Sequence, residues 1–154
     1  MVLIVKVLVG VVVVFLAQLL WRRWRKAQQQ AKRQLAMLEF PDLREKLQAD
    51  FLQAAAATGK PRGLSWKQCD LVEGQLFATD RVNGELYALV GATISFAAIP
   101  GGDMEDVEAV GNLRCATAIF VHRSGEWTTD GRVVFNLEPR QALEHYEQSL
   151  QLLG

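Results

Sequence analysis

Residues 75–99 read QLFATDRVNGELYALVGATISFAAI. Asn83-Gly84 sits between two runs rich in β-branched and aromatic residues, the strongest short-range signal for a two-residue type I′ hairpin. Closing the chain on that turn pairs Val82 with Glu85, Arg81 with Leu86 and Phe77 with Val90. Side chains alternate along a strand, so Leu86, Ala88, Val90, Ala92, Ile94 and Phe96 share one face. Tyr87, Leu89, Thr93 and Ser95 share the other. Gly91 is the expected place for a bulge that lets so long a strand curve.

Working outward, LSWKQCDL (64–71) reads as a preceding strand, with a turn at Glu73-Gly74. PGGDMEDVEAVGN (100–112) breaks the pattern as a loop. Residues 113–123 resume it, with Leu113, Cys115, Thr117, Ile119 and Val121 on one side. SGEWTTDG (124–131) is a connection and RVVFNL (132–137) a further strand. Residues 138–153 read as a closing helix, with Pro139 early and Leu143, Tyr146, Leu150 and Leu153 as its stripe. On the amino-terminal side, Leu43, Leu47, Phe51 and Ala55 recur every four residues. Pro41 suits a first turn, Asp42 and Glu45 complement its dipole, and Thr58 to Pro61 ends the helix.

The expected class is α+β: a small domain with a curved antiparallel sheet of four or five strands, flanked by an N-terminal and a C-terminal helix. This cone-like layout is similar to that of cystatin-like and nuclear-transport-factor-2-like folds. The likeness is one of element order and transfers no functional residue.

The first 38 residues obey another rule. Val2 to Trp21 is apolar apart from Lys6 and Gln18. Twenty helical residues rise ~30 Å, the thickness of a bilayer's hydrocarbon core. This predicts an N-terminal transmembrane helix, with Lys6 snorkelling at its start. The bases come after the apolar run, against the order of a cleaved signal peptide. Trp21, Arg22, Arg23, Trp24, Arg25 and Lys26 suit the membrane interface, where anionic headgroups meet bases and aromatic rings. The same bias predicts a single-pass protein of the cell membrane whose C-terminal domain faces the cytoplasm. The expected segments are an anchor over 1–21, a basic juxtamembrane helix over 22–38 and a soluble α+β domain over 39–154. Leu20, Trp24, Ala27, Ala31, Leu35 and Leu38 recur at spacings of three and four, a seam through which two copies would form a homodimer.

Net charge is zero overall, yet residues 1–38 hold seven bases and no acid, while residues 39–154 carry −7. An acidic body is not the footprint of a nucleic-acid-binding domain, which clusters bases on its folded face. Asp103, Glu105, Asp106 and Glu108 crowd the 100–112 loop and form a candidate binding surface. Their spacing does not match a calcium loop, and no metal is expected. His122 alternates with Phe120 and Ala118 on one strand face and is the candidate pocket residue, with Asp80 and Glu126 as possible neighbours. Cys69 and Cys115 lack a nearby His or C-x-x-C partner, and no Gly-rich phosphate loop is present, so no cofactor is expected. The expectation is a non-catalytic binding or scaffolding module held at a membrane, with another protein as its partner. The alternative is a small-ligand-binding or enzymatic cone with a pocket between sheet and helices.

Overall fold

A computed structural model describes residues 1–58 and 63–153; of residues 2–5, 7–9 and 11 it describes the backbone alone. The chain divides into two compact parts, Met1–Leu38 and Glu39–Gly154.

The first part is one unbroken helix, α1 (Val2–Glu39), of 38 residues. Among the described residues no helix is long and apolar enough to cross a membrane. The expected transmembrane helix is therefore not found there. Eight residues of the apolar run have side chains outside the described set, and beyond Trp21 the same helix is basic and polar.

The second part is α+β. After a short turn of 3-10 helix at Pro41–Leu43 come α2 (Arg44–Thr58), β1 (Leu64–Asp80), β2 (Leu86–Ala98), β3 (Arg114–Arg123), β4 (Glu126–Thr128), β5 (Val133–Phe135), α3 (Pro139–His145) and β6 (Leu150–Leu152). The strands form one antiparallel sheet of six, in the order β4-β3-β2-β1-β6, with β5 also paired to β3. Four or five strands were expected. The strands not expected, β4 and β6, are three-residue pieces that pair alongside β3 and β1.

The face assignment of β2 holds: Leu86, Ala88, Val90, Ala92, Ile94 and Phe96 are all buried. The turn feeding it differs from expectation. Phe77 pairs with Ala88, not Val90. The Asp80 carboxylate accepts the N–H groups of Val82 (2.7 Å) and Asn83 (3.0 Å), and Gly84 N–H donates to the Asp80 carbonyl. This Asx-type closure makes a four-residue loop in which only Gly84 takes positive φ. The register moves by two residues, and a shift of two returns every side chain to the same face. The two-residue turn with both central φ positive occurs instead at Ser124-Gly125, between Arg123 and Glu126.

No turn forms at Glu73-Gly74. β1 continues for 17 residues, and Val72, Glu73 and Gly74 together stand opposite Gly91 as a bulge. The bulge is tied to α2: Leu71 N–H donates to Gln48 Oε1 (3.1 Å) and the Arg44 guanidinium donates to the Val72 carbonyl. Polar side chains on α2 thus satisfy strand groups that the bulge leaves unpaired.

The space between α2 and the sheet is filled by rings. Phe40 lies 4.8 Å from Trp127 and 5.7 Å from Phe77 and Phe120, measured between centroids. Phe51 lies 6.0 Å from Phe120 and 6.1 Å from Trp66. Leu47 and Ala55 complete the stripe of α2. These edge-on and tilted contacts add to area burial in the core. On the opposite face Ala78, Leu89, Ala142 and Leu150 form a smaller cluster under α3.

The closing helix is shorter than its stripe predicts. Glu138 and Gln141 form a reciprocal capping box around Pro139, and α3 ends at His145. Ser149 and Leu150 N–H both return to the Tyr146 carbonyl, and β6 then pairs with Ala78–Asp80. The hairpin end of β1 would otherwise leave an open edge, and three ladder residues satisfy it while burying Leu150.

Candidate functional site

A groove of about 450 Å³ lies between α2 and β4. Lys46, Asp50, Gln53, Ala54 and Ala57 line one wall, and residues 126–129 the other. The helix wall exists because α2 buries Leu47, Phe51 and Ala55, which turns Lys46, Asp50, Gln53 and Ala57 outward at helical spacing. The strand wall is positioned by the Ser124-Gly125 turn and by the 129–132 connection. Thr129 Oγ1 donates to the Ile119 carbonyl (3.0 Å), and Gly131 N–H donates back to that hydroxyl (3.1 Å).

Gly131 sets how closely this connection approaches the helix. Its φ is +76°, and a Cβ there would lie 2.6 Å from the Ala54 carbonyl carbon and closer still to Ala55 N. Only glycine permits that approach. The groove's charges are largely compensated: Lys46 Nζ meets the Asp50 carboxylate at 3.2 Å, both partly exposed. Glu126 adds one exposed carboxylate. The groove thus presents mixed charge, amide and hydroxyl groups together with Trp127.

The sequence-derived candidates lie elsewhere. Asp103, Glu105, Asp106 and Glu108 are all exposed. Glu105 accepts the Gly101 N–H (2.8 Å), so it closes its own loop. Among the described residues no three His, Cys, Asp or Glu side chains gather as a metal ion would require. His122 is half-buried and meets Trp127 edge-on across the β3–β4 pair, at 5.3 Å between centroids. It is a ring-packing residue beside the groove wall. Asp80 is committed to its own turn. Of the three residues expected to share a pocket, only Glu126 reaches the groove.

Cys69 pairs with Ile94 and Cys115 with Thr93, adjacent residues whose side chains take opposite faces of β2. A bridge between the cysteines is excluded, and both are free. Burial pushes the Cys69 thiol up to about 11, which keeps it protonated and unreactive at neutral pH.

One charged cluster was not anticipated. Arg123 grips the Glu85 carboxylate through two nitrogens, at 2.6 and 3.0 Å, while Asn83 Nδ2 and Tyr87 OH also donate to it. The Arg123 hydrogen bonds hold the Glu85 carboxyl down at about 2. Beside these groups the recess lined by Tyr87, Arg123, Asp130 and Arg132 encloses only about 20 Å³, so the cluster clamps the hairpin and leaves no room for a ligand. Sequence spacing does not reveal it, because 38 residues separate Glu85 from Arg123.

In the first part, the Arg25 guanidinium stacks over the Trp21 ring at 3.9 Å. Trp21 and Trp24 are exposed, as are Arg22, Arg23 and Lys26. Neither protein-family models nor curated proteins nor solved structures match the chain.

Proposed function

We propose that this is a single-pass membrane protein whose α+β domain, on the cytoplasmic side, binds or scaffolds another protein and performs no catalysis. The division of charge carries the reading: an apolar run leads directly into six bases with no acid, and the body beyond carries −7. Trp21, Arg22, Arg23, Trp24, Arg25 and Lys26 sit at the headgroups in this reading, with anionic lipid as their partner. The partner protein docks in the α2–β4 groove, where amide, hydroxyl and charged groups surround Trp127.

A photo-crosslinking residue at Gln53, in the full chain expressed in cells, tests the groove. A discrete adduct with one protein is expected at Gln53 and none at Val82, which lies on the β1–β2 hairpin outside the groove lining. Equal labelling at both positions, or none at Gln53, overturns the docking site. Resistance of the full chain to extraction from membranes at alkaline pH tests the anchor separately.

The groove also supports a second reading, a site for a small ligand. Thermal melting of the full chain against metal and metabolite panels separates the two. A shift of several degrees with one compound favours the ligand, since selective binding to the folded state must stabilise it.

A further inference from the structure

Asn83-Gly84 carries a chemistry that neither the anchor nor the groove uses. It is the one place in the chain where glycine follows asparagine; Asn112 and Asn136 each precede leucine. The backbone nitrogen of the residue after an asparagine can attack that asparagine's own side-chain amide. A side chain on the attacking residue crowds the approach, and glycine has none. The pair sits in the loop of the β1–β2 hairpin, where Asn83 is exposed beside the exposed Val82.

The turn already holds the groups such a reaction uses. Glu85 N–H donates to Asn83 Oδ1 at 2.8 Å. Negative charge collects on that oxygen when a nitrogen adds to the amide carbon, so a donor is in place for it. The attacking group is restrained. Gly84 N–H donates to the Asp80 carbonyl at 3.0 Å, and the Asp80 carboxylate keeps the loop closed by accepting the Val82 and Asn83 N–H groups. The amide that would leave is engaged as well: Asn83 Nδ2 donates to Glu85 Oε2 at 3.0 Å, on the carboxylate that Arg123 grips.

We infer that Asn83 is a self-modification site, converted to aspartate and isoaspartate in the folded chain at a pace set by Asp80. When the loop opens locally, the Gly84 nitrogen gives its proton to solvent base and bonds to Asn83 Cγ. The Cγ–Nδ2 bond breaks, and Nδ2 takes a proton from solvent and leaves as ammonia. A five-membered succinimide remains. Water adds to one of its two carbonyls and that ring C–N or C–C(O)–N link opens at the nitrogen. Opening at the side-chain carbonyl gives aspartate; opening at the main-chain carbonyl gives isoaspartate, whose backbone runs through the former side chain. No oxidant or reductant takes part. Either product carries a carboxylate in place of the amide that donated to Glu85, so two like charges compete for Arg123. The clamp between β2 and β3 loosens as the chain ages.

The full chain in lipid vesicles, held warm at mildly alkaline pH in water labelled with heavy oxygen, tests this by peptide mass spectrometry. Asn83 should convert many-fold faster than Asn112 and Asn136, mostly to isoaspartate, with a solvent oxygen in each product. Conversion no faster than at the other two asparagines overturns the site. Asp80→Ala should speed conversion of Asn83 several-fold and leave Asn112 and Asn136 unchanged. An unchanged rate at Asn83, or a rise at all three alike, overturns pacing by Asp80, because a uniform rise reports unfolding of the whole domain. Asn83→Asp, which imitates the aspartate product, should melt below the unaltered chain at neutral pH. Equal melting overturns the loosening of the clamp.

Discussion

Residues 1–38 segregate charge and residues 39–154 pair it. In residues 1–38 seven bases stand with no acid, and those beyond Trp21 lie on one side of the helix. In the domain Glu85 meets Arg123, Lys46 meets Asp50 and Arg132 meets Asp130. The difference shows what each part depends on. An isolated helix in water draws little stability from propensity alone, and the valine run of α1 is poor in it, so α1 relies on its surroundings. The domain relies on its aromatic interior, and its surface ion pairs contribute little. Changes to the interior should therefore unfold the domain and leave attachment intact, while changes to the bases should do the reverse.

The largest effects are expected inside the domain. Phe51→Ala should lower stability by about 3–5 kcal/mol, the range for truncating a fully buried Phe. Gly131→Ala should cost about 3 kcal/mol, because it adds a clash with the α2 backbone to a positive φ. Urea unfolding of the full chain in vesicles, read by tryptophan fluorescence, measures both. Vesicle association should not change. If either variant releases the chain from vesicles, the two parts are not independent.

The contrast also explains what was legible in the sequence. The faces of β2 follow from alternation, which needs no knowledge of partners, and all six expected residues are buried. The α2 stripe is equally local. What failed was decided by a competing side chain or by distant groups. Asn83-Gly84 has the composition of a type I′ turn, but the Asp80 carboxylate captured two N–H groups and enlarged the loop. Glu73-Gly74 looks like a turn, yet Gln48 and Arg44 of α2 hold it as a bulge. Leu150 fits a helical stripe, yet the open edge of β1 draws it into β6. The acidic loop stood out by density, and its four carboxylates are exposed. Groove residues Lys46, Asp50 and Gln53 were visible as an outward helix face, but their facing strand lies some 75 residues away (Asp50 and Gln53 against residues 126–129) and has no local signal.

Smaller effects sharpen the contrast from the charge side. Replacing Arg22, Arg23, Arg25 and Lys26 by glutamine should remove about 1 kcal/mol of anionic-lipid attraction per base and weaken the orientation preference. Binding to vesicles with and without anionic lipid measures the attraction, and the urea midpoint of the domain should stay fixed. Asp80→Ala should cost about 1 kcal/mol, the worth of lost turn hydrogen bonds, without moving the groove. A loss as large as that of Phe51→Ala would show that the loop, not the interior, organises the sheet.

The smallest effect concerns acid. Glu85 titrates at about 2 in the folded chain against 4.5 when free. Its contribution is complete above about 4.5 and disappears as pH falls toward 2, because the unfolded chain binds the proton first. Arg123→Gln should therefore lower the melting temperature slightly at pH 7, leave it unchanged near pH 2, and so flatten the decline between pH 5 and about 2.5. A decline identical to that of the unaltered chain would remove Glu85 from any role in acid sensitivity.

The membrane reading itself is tested by a single cysteine at Val82, 94% exposed on the β1–β2 hairpin, in a Cys69→Ala, Cys115→Ser background. In intact cells a thiol reagent that cannot cross membranes should leave Val82→Cys unlabelled, and it should label fully once the membranes are opened, with the chain resistant to alkaline extraction. Full labelling in intact cells would place the domain outside, and extraction at alkaline pH would show that α1 does not anchor the chain.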